Sequence, residues 1–282
     1  MTLTINTNLS SLIVQKNLSS ATTSLNNAIE RMSTGYKINH AKDNAAGYSI
    51  AANWKTKLGS LDIASENASM GADLLKTAEE NYSLITSHLQ RVRDLTEQAA
   101  NGTYGSDSLK AIASEMTARL NEIDRISKNA EFNGIKLMDS TGKAITLQVG
   151  LDAVAANSQI TLDAALFEAA DSKALLGAEI DAFVKEAADS TKAAGKLAKI
   201  DEAITKISDK VTSIGSAQNR VESAISSISV QSENLTSSLS TLRDADVAEE
   251  SSNYIKAQIL QQASATLLAT ANQMPSIALN LI

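Results

Sequence analysis

The sequence has no cysteine, a single proline (Pro275), a single tryptophan (Trp54), 12 glycines and only 3% aromatic residues in 282. Without cysteine there is no disulfide framework, no thiolate nucleophile and no Cys-bound metal, although the compartment stays open. So few rings cannot line an aromatic ligand pocket. Few breakers in a chain rich in Ala, Ser, Leu and Ile predict long helices, and 282 residues suffice for one or two domains with a sizeable core. A net charge of −7 supplies no basic face for nucleic acid. The first basic residue is Lys16, so the charged start of a secretory signal is missing and any export is expected to use another route. The last stretch, AQILQQASATLLATANQMPSIALNLI (257–282), contains no Asp, Glu, Lys or Arg. Its Gln, Ser, Thr and Asn residues interrupt it well short of the roughly 18–20 apolar residues of a membrane span, so no membrane insertion is expected.

What is present is heptad spacing. Stepping by alternating threes and fours from Leu197 to Leu242, twelve of fourteen positions are apolar, the exceptions being Gln218 and Ser232. Such a seam packs against other helices, knobs into holes. A polar residue within it either meets water or sets register, and spacing leaves both open. A second seam runs through Leu61, Ala64, Ala68, Gly71, Leu75, Ala78, Tyr82, Ile85, Leu89, Val92, Thr96 and Ala99; its small first half predicts close approach by a neighbouring helix. NGTYG (101–105) ends that helix, with Ser106 or Asp107 expected to cap the next, which carries Leu109, Ile112, Met116, Leu120 and Ile123 and stops near NAEFNG (129–134). The first segment reads as a helix on Val14, Leu18, Ala21, Leu25, Ala28 and Met32, broken after Gly35. The last reads as one on Ile255, Ile259, Ala263, Leu267 and Ala271, with Pro275 expected to disrupt it.

The middle has another texture. Ile145, Leu147 and Val149, then Ile160 and Leu162, alternate with polar residues, which predicts a β-hairpin near 144–163. Residues 139–189 hold nine acids and three lysines and are expected to be the most solvated part. If the chain turns back on itself, the end helices pair and the middle forms one tip.

Chemistry is hard to find. His40 lies in a polar loop and His88 beside a seam, with no H-E-x-x-H, no G-x-S-x-G and no phosphate loop, so no catalytic, cofactor or metal residues are assigned. Glu79–Glu80 and Glu249–Glu250 point to different helix faces and read as solvated surface. Six N-x-[ST] sequons are what so Asn/Ser/Thr-rich a chain produces by chance. In LQRVRDL (89–95), Arg91 and Arg93 fall off the seam and read first as an exposed face, as does Glu115.

Long motifs at both ends resemble bacterial flagellin: INTNLSSL, RMSTGYKINHAKDNAAGYSIA, LQRVRDLTEQAANGT and RLNEIDRISKNAEFNGIKLMD at the N-terminal side, then GSAQNRVESAISSI and KAQILQQASATLLATANQMPSIALNLI. Asn44 and Asp94 depart from the family's usual Asp and Glu, and residues 166–195 match no pattern of it. The chain is short, without large outer domains. The resemblance implies a mainly α fold: a long antiparallel coiled-coil rod with a small β-hairpin and paired N- and C-termini. It implies an inner domain of 1–45 with 243–282 and a rod of 46–242. It implies a secreted subunit of the extracellular filament, exported unfolded by the flagellar type III apparatus and polymerising with itself. Partners implied are an export chaperone on the C-terminal helix, the filament cap and the hook–filament junction proteins. In the polymerisation core we expect Leu18, Leu25, Ile29, Ile259, Leu260, Leu267 and Leu268. Carried over from the family's Toll-like receptor 5 contact are Arg91 and Leu95, with Glu115 on the next helix, and Leu95 is expected to be an exposed apolar anchor beside Arg91. The competing readings are a hook–filament junction protein and a type III coiled-coil adaptor or translocator; an enzyme is disfavoured by the residue inventory.

Overall fold

The computed structural model describes residues 7–138, 143–152 and 155–279. In chain order the elements are α1 (Leu9–Thr34), α2 (Ala45–Ala100), α3 (Ser106–Asn129), β1 (Glu131–Phe132), β2 (Ile135–Lys136), β3 (Ile145–Gln148), α4 (Ala155–Ser158), β4 (Gln159–Leu162), a 3-10 turn (Ala164–Phe167), α5 (Ser172–Leu176), α6 (Ile180–Ala187), α7 (Ala193–Arg243) and α8 (Val247–Leu279). They form two compact units: a terminal unit of residues 1–58 with 233–282, and a central unit of 59–232.

In the central unit the two seams are the core. All twelve α2 seam positions from Leu61 to Ala99 are buried, and so are Ile200, Ile207, Ile214, Val221 and Ile228 of α7. Met116, Leu120 and Ile123 of α3 close the same cluster. Helices α2 and α7 run antiparallel, fixed by Arg93 Nε donating to Asp201 at 2.7 Å and by Gln218 Nε2 donating to Glu79 at 2.8 Å. Gln218 therefore has a side-chain partner and acts as a cross-helix lock. At Gly71 the close neighbour is a strand: a Cβ there would collide with Leu147 Cδ1. Asn67 Nδ2 anchors that strand by donating to the Gln148 carbonyl at 3.1 Å. β3 and β4 pair antiparallel, Ile145 opposite Leu162 through Gln148 opposite Gln159, as the alternation requires.

Other expectations are corrected. NAEFNG does more than stop α3: Asn133 (φ 47°) and Gly134 (φ 81°) make the turn of a second hairpin, β1–β2, because Asn-Gly tolerates two left-handed residues in succession. Neither Ser106 nor Asp107 caps α3; Gly105 holds the cap position, with no side-chain hydrogen bond there. The acidic middle is not simply solvated. Its described acids are exposed or half-buried, but Leu166, Phe167, Leu175, Leu176, Phe183 and Val184 enter the core. Aperiodic spacing hid this, since each short turn inserts only one or two side chains.

The terminal unit is built differently. α1 starts at the cap Asn8, whose Oδ1 accepts from Ser11 N at 3.1 Å, and ends at Gly35 in the left-handed region (φ 75°). The chain then bridges the start of α8. Lys37 N donates to the Arg243 carbonyl at 2.7 Å, Ala245 N to the Gly35 carbonyl at 2.8 Å, and the Arg243 guanidinium lies 4.1 Å from the Tyr36 ring centre. α1 and α8 pack antiparallel through small residues: Ala21 and Ala28 from one, Ala257, Ser264 and Ala271 from the other. Met32 is exposed and not part of this seam. The every-four series on α8 also fails. Ile255, Ile259 and Leu267 are exposed and only Ala271 is buried, because a step of four overruns the 3.6-residue turn and drifts around the helix. Pro275 does not end α8, which continues to Leu279.

Candidate functional site

Two faces collect the residues singled out by the sequence. The first is the outer surface of the α1–α8 pair. Small side chains let the two backbones approach closely but bury little apolar area. The large side chains are left outside: Ile29 (47% exposed), Ile259 (60%), Leu260 (49%) and Leu267 (56%), with Leu9, Leu12, Ile13 and Ile255. Leu18, Leu25 and Leu268 are half-buried at the edges of the pair. The seven expected core residues thus sort by exposure, three half-buried at the seam and four about half exposed, of which Leu260 and Leu267 edge the groove between the helices. Polar contacts frame the pair. Arg31 Nη1 meets Glu250 at 2.9 Å, with the glutamate almost fully buried, and Gln261 Nε2 donates to Thr22 Oγ1 at 3.2 Å. A groove of about 670 Å³ runs between the helices, lined by Ser24, Arg31, Lys256, Leu260 and Leu267 among others.

The second face is on α2 and α3. Arg91 Nε donates to Glu115 Oε1 at 2.9 Å, and Arg119 approaches the same oxygen at 3.6 Å. The hydrogen bond from Arg91 is the main cause holding the Glu115 carboxyl below the usual carboxylate range, and it raises Arg91 in turn. The structure therefore brings Arg91 and Glu115 together on an exposed surface. Leu95 does not join them. It is 1% exposed, facing the core beside Thr96, because α3 covers a second side of α2 there. The expectation of an exposed apolar anchor at Leu95 is wrong. A single-helix pattern sees one buried stripe, whereas α2 at this level has two neighbours.

One polar residue escaped the sequence reading altogether. Tyr82 reads as an ordinary seam position, yet its one phenol hydrogen is shared between the carbonyls of Leu166 at 3.0 Å and Glu168 at 3.2 Å. Burial pushes the phenol well above its usual range, and the Glu168 carboxylate adds to this. Lys210 Nζ reaches the neighbouring Ala165 carbonyl at 3.0 Å and Glu168 at 2.9 Å, while Asp124 accepts from Ser172 N at 2.7 Å. The acidic middle is tied to α2, α3 and α7 by these three side chains. The only available signal was an aromatic hydroxyl inside a heptad seam, which demands a buried partner.

Among the described residues, no cluster of His, Asp and Glu could hold a metal, and no helix is long and apolar enough to cross a membrane.

Comparison with known proteins gives the same answer at both ends of the chain. Residues 5–143 match the bacterial flagellin N-terminal helical region and residues 197–282 the bacterial flagellin C-terminal helical region. A flagellin of Listeria monocytogenes serovar 1/2a is 35% identical over 287 aligned residues, covering 99% of each chain, and one of Bacillus subtilis is 35% identical with the same coverage. The flagellar filament 33 kDa core protein of Treponema phagedenis is 32% identical, again over 99% of both. Among solved structures, a putative flagellar hook-associated protein from Vibrio parahaemolyticus shares the fold (TM-score 0.58, 14% identity, 72% of this chain and all of that one). Bacillus cereus flagellin aligns with a TM-score of 0.48 at 29% identity, over 62% of this chain and 94% of that one. The chain is a member of the bacterial flagellin family, a family of structural proteins and not of enzymes.

Proposed function

We propose that this chain is a structural subunit of the bacterial flagellar filament, and that the outer face of its α1–α8 pair is where copies join. One observation carries the reading. Two helices that share a seam of Ala and Ser leave Ile29, Ile259, Leu260 and Leu267 in solvent, the last three on a stretch of α8 that from 257 onward has no charged residue. Large apolar side chains left in solvent, three of them on an uncharged stretch, call for apolar cover, and membership of the flagellin family favours other copies as that cover. Burying each such side chain contributes about 1.5–3 kcal/mol, and the gain arrives only when neighbours are present. On this reading residues 1–45 with 243–282 form the inner domain and 46–242 the rod. The subunit works outside the cell, leaves it unfolded through the flagellar type III apparatus with a chaperone on α8, and meets the cap and junction proteins during assembly.

The test is Leu267→Asp, assayed by pelleting and electron microscopy after seeding. Leu267 is more than half exposed in the chain, so circular dichroism should barely change. An unpaired charge buried between subunits costs several kcal/mol by order of magnitude, so filaments should disappear. Normal filaments from this variant would refute the assignment of the face.

A second reading concerns the Arg91 face. The paired Arg91 and Glu115 are oriented together on an exposed surface, which supports recognition of the monomer by host Toll-like receptor 5. Leu95 contributes as support beneath Arg91 and not as a contact.

A further inference from the structure

The α1–α8 seam poses a problem of register. Its small residues repeat every seven, as Ala21 and Ala28 on α1 and as Ala257, Ser264 and Ala271 on α8. A slip of one heptad exchanges Ala or Ser for Ala or Ser, so apolar burial barely distinguishes the frames. Something polar must choose between them.

Pro275 supplies it. Proline has no N–H, so within α8 the carbonyl four residues earlier, that of Ala271, receives no helical donor. Asn8 Nδ2 donates to that carbonyl at 2.7 Å, while Asn8 Oδ1 caps α1 by accepting from Ser11 N. Beside them Ser11 Oγ lies 2.7 Å from Asn272 Oδ1. Pro275 is the one proline in the sequence, so α8 offers one such carbonyl. In a slipped frame Asn8 would meet a carbonyl already bonded to its own helix. At the far end of the pair a charge, Glu250, takes a seam position and finds Arg31. We propose that the Asn8 carboxamide and the Ala271 carbonyl freed by Pro275 form a register key which, at the open end of the pair, adds to Arg31–Glu250 and to the Lys37–Arg243 and Ala245–Gly35 backbone bonds at the other end in holding the terminal helices in one heptad frame.

The native chain has no cysteine, so engineered pairs report cleanly. In the full-length protein, Thr22→Cys combined with Gln261→Cys reads the observed frame. Thr22→Cys combined with Leu268→Cys or with Tyr254→Cys reads a slip of one heptad in either direction. Each pair is oxidised in dilute solution, where the disulfide traps the frame in which the two ends meet whenever they pair, and the internal crosslinks are quantified by gel. Asn8→Asp keeps a good helix cap but removes the donor. It should raise the ratio of slipped to in-frame crosslink about tenfold, the loss of one hydrogen bond to an otherwise unpaired group. Pro275→Ala returns a helical donor to Ala271, makes the Asn8 contact redundant and should raise the ratio similarly. The double variant should go no further than either alone. An unchanged ratio in Asn8→Asp overturns the proposal. So does full additivity in the double variant, and so does joint loss of all three crosslinks, which would make the contact a source of stability and not of register.

Discussion

Tyr82 shows how much one atom can organise. Its hydroxyl is the α2 group that holds the carbonyls of the 164–168 turn, and it does so from the middle of an apolar stripe. Tyr82→Phe keeps the ring and strips the donor, leaving a buried carbonyl unsatisfied. We expect a loss of about 1–3 kcal/mol in thermal or denaturant unfolding. Faster amide exchange confined to 164–176 would show that the loss is local. Glu115 gives a pH-dependent counterpart. Its pKa is lowered in the folded state, chiefly by the hydrogen bond from Arg91, so the pair contributes above the ordinary carboxylate range. The contribution is lost as pH falls through the depressed folded value. Carbon-detected NMR should find the Glu115 carboxyl titrating below the usual range, and Arg91→Ala should return it upward. No movement in that variant would mean that the pairing is absent in solution.

At the scale of elements, the contrast is between the seams. The α2–α7 seam buries Leu, Ile, Val and Tyr and stands as a core in its own right, joined by α3 and the middle segment. The α1–α8 seam buries mainly Ala and Ser, and its polar contacts give direction more than strength. Ordering some sixty helical residues costs on the order of 1 kcal/mol each in backbone entropy, which this narrow seam does not offset by burial alone. Limited proteolysis of a verified monomer should therefore trim both ends and leave a resistant fragment near residues 50–240. Uniform resistance of the termini would show that the pair is stable without neighbours.

At the scale of the whole molecule, the two faces have opposite relations to assembly. On the proposed function the α1–α8 face acts only when covered, whereas the Arg91–Glu115 face acts only when free. Receptor binding by monomers should fall on Arg91→Ala, and intact filaments should bind far less than monomers because subunit packing uses the rod's helices. Leu95→Ala should weaken the monomer through its support, with a measurable drop in thermal stability of about 2–5 kcal/mol for a buried Leu→Ala change. Equal binding by wild type, Arg91→Ala and filaments would leave this surface as solvated helix and nothing more.

Periodicity by itself determined the long helices, the turns at Gly35 and Asn101–Gly105, the β3–β4 hairpin and the main seams, because each rests on local spacing and on the backbone preferences of Gly and Asn. Family motifs then located the end helices as a pair. Only tertiary structure decided the rest. Leu95 is buried because α2 has a second neighbour at that level. The strand carrying Leu147 fills the space above Gly71. Tyr82 is a clamp because the acidic middle folds back over it, and α8 passes through Pro275 while Asn8, more than 260 residues away in sequence, occupies the carbonyl left open. Each of these depends on what lies across from a residue, and a one-dimensional pattern records which face a side chain takes but not what meets it there.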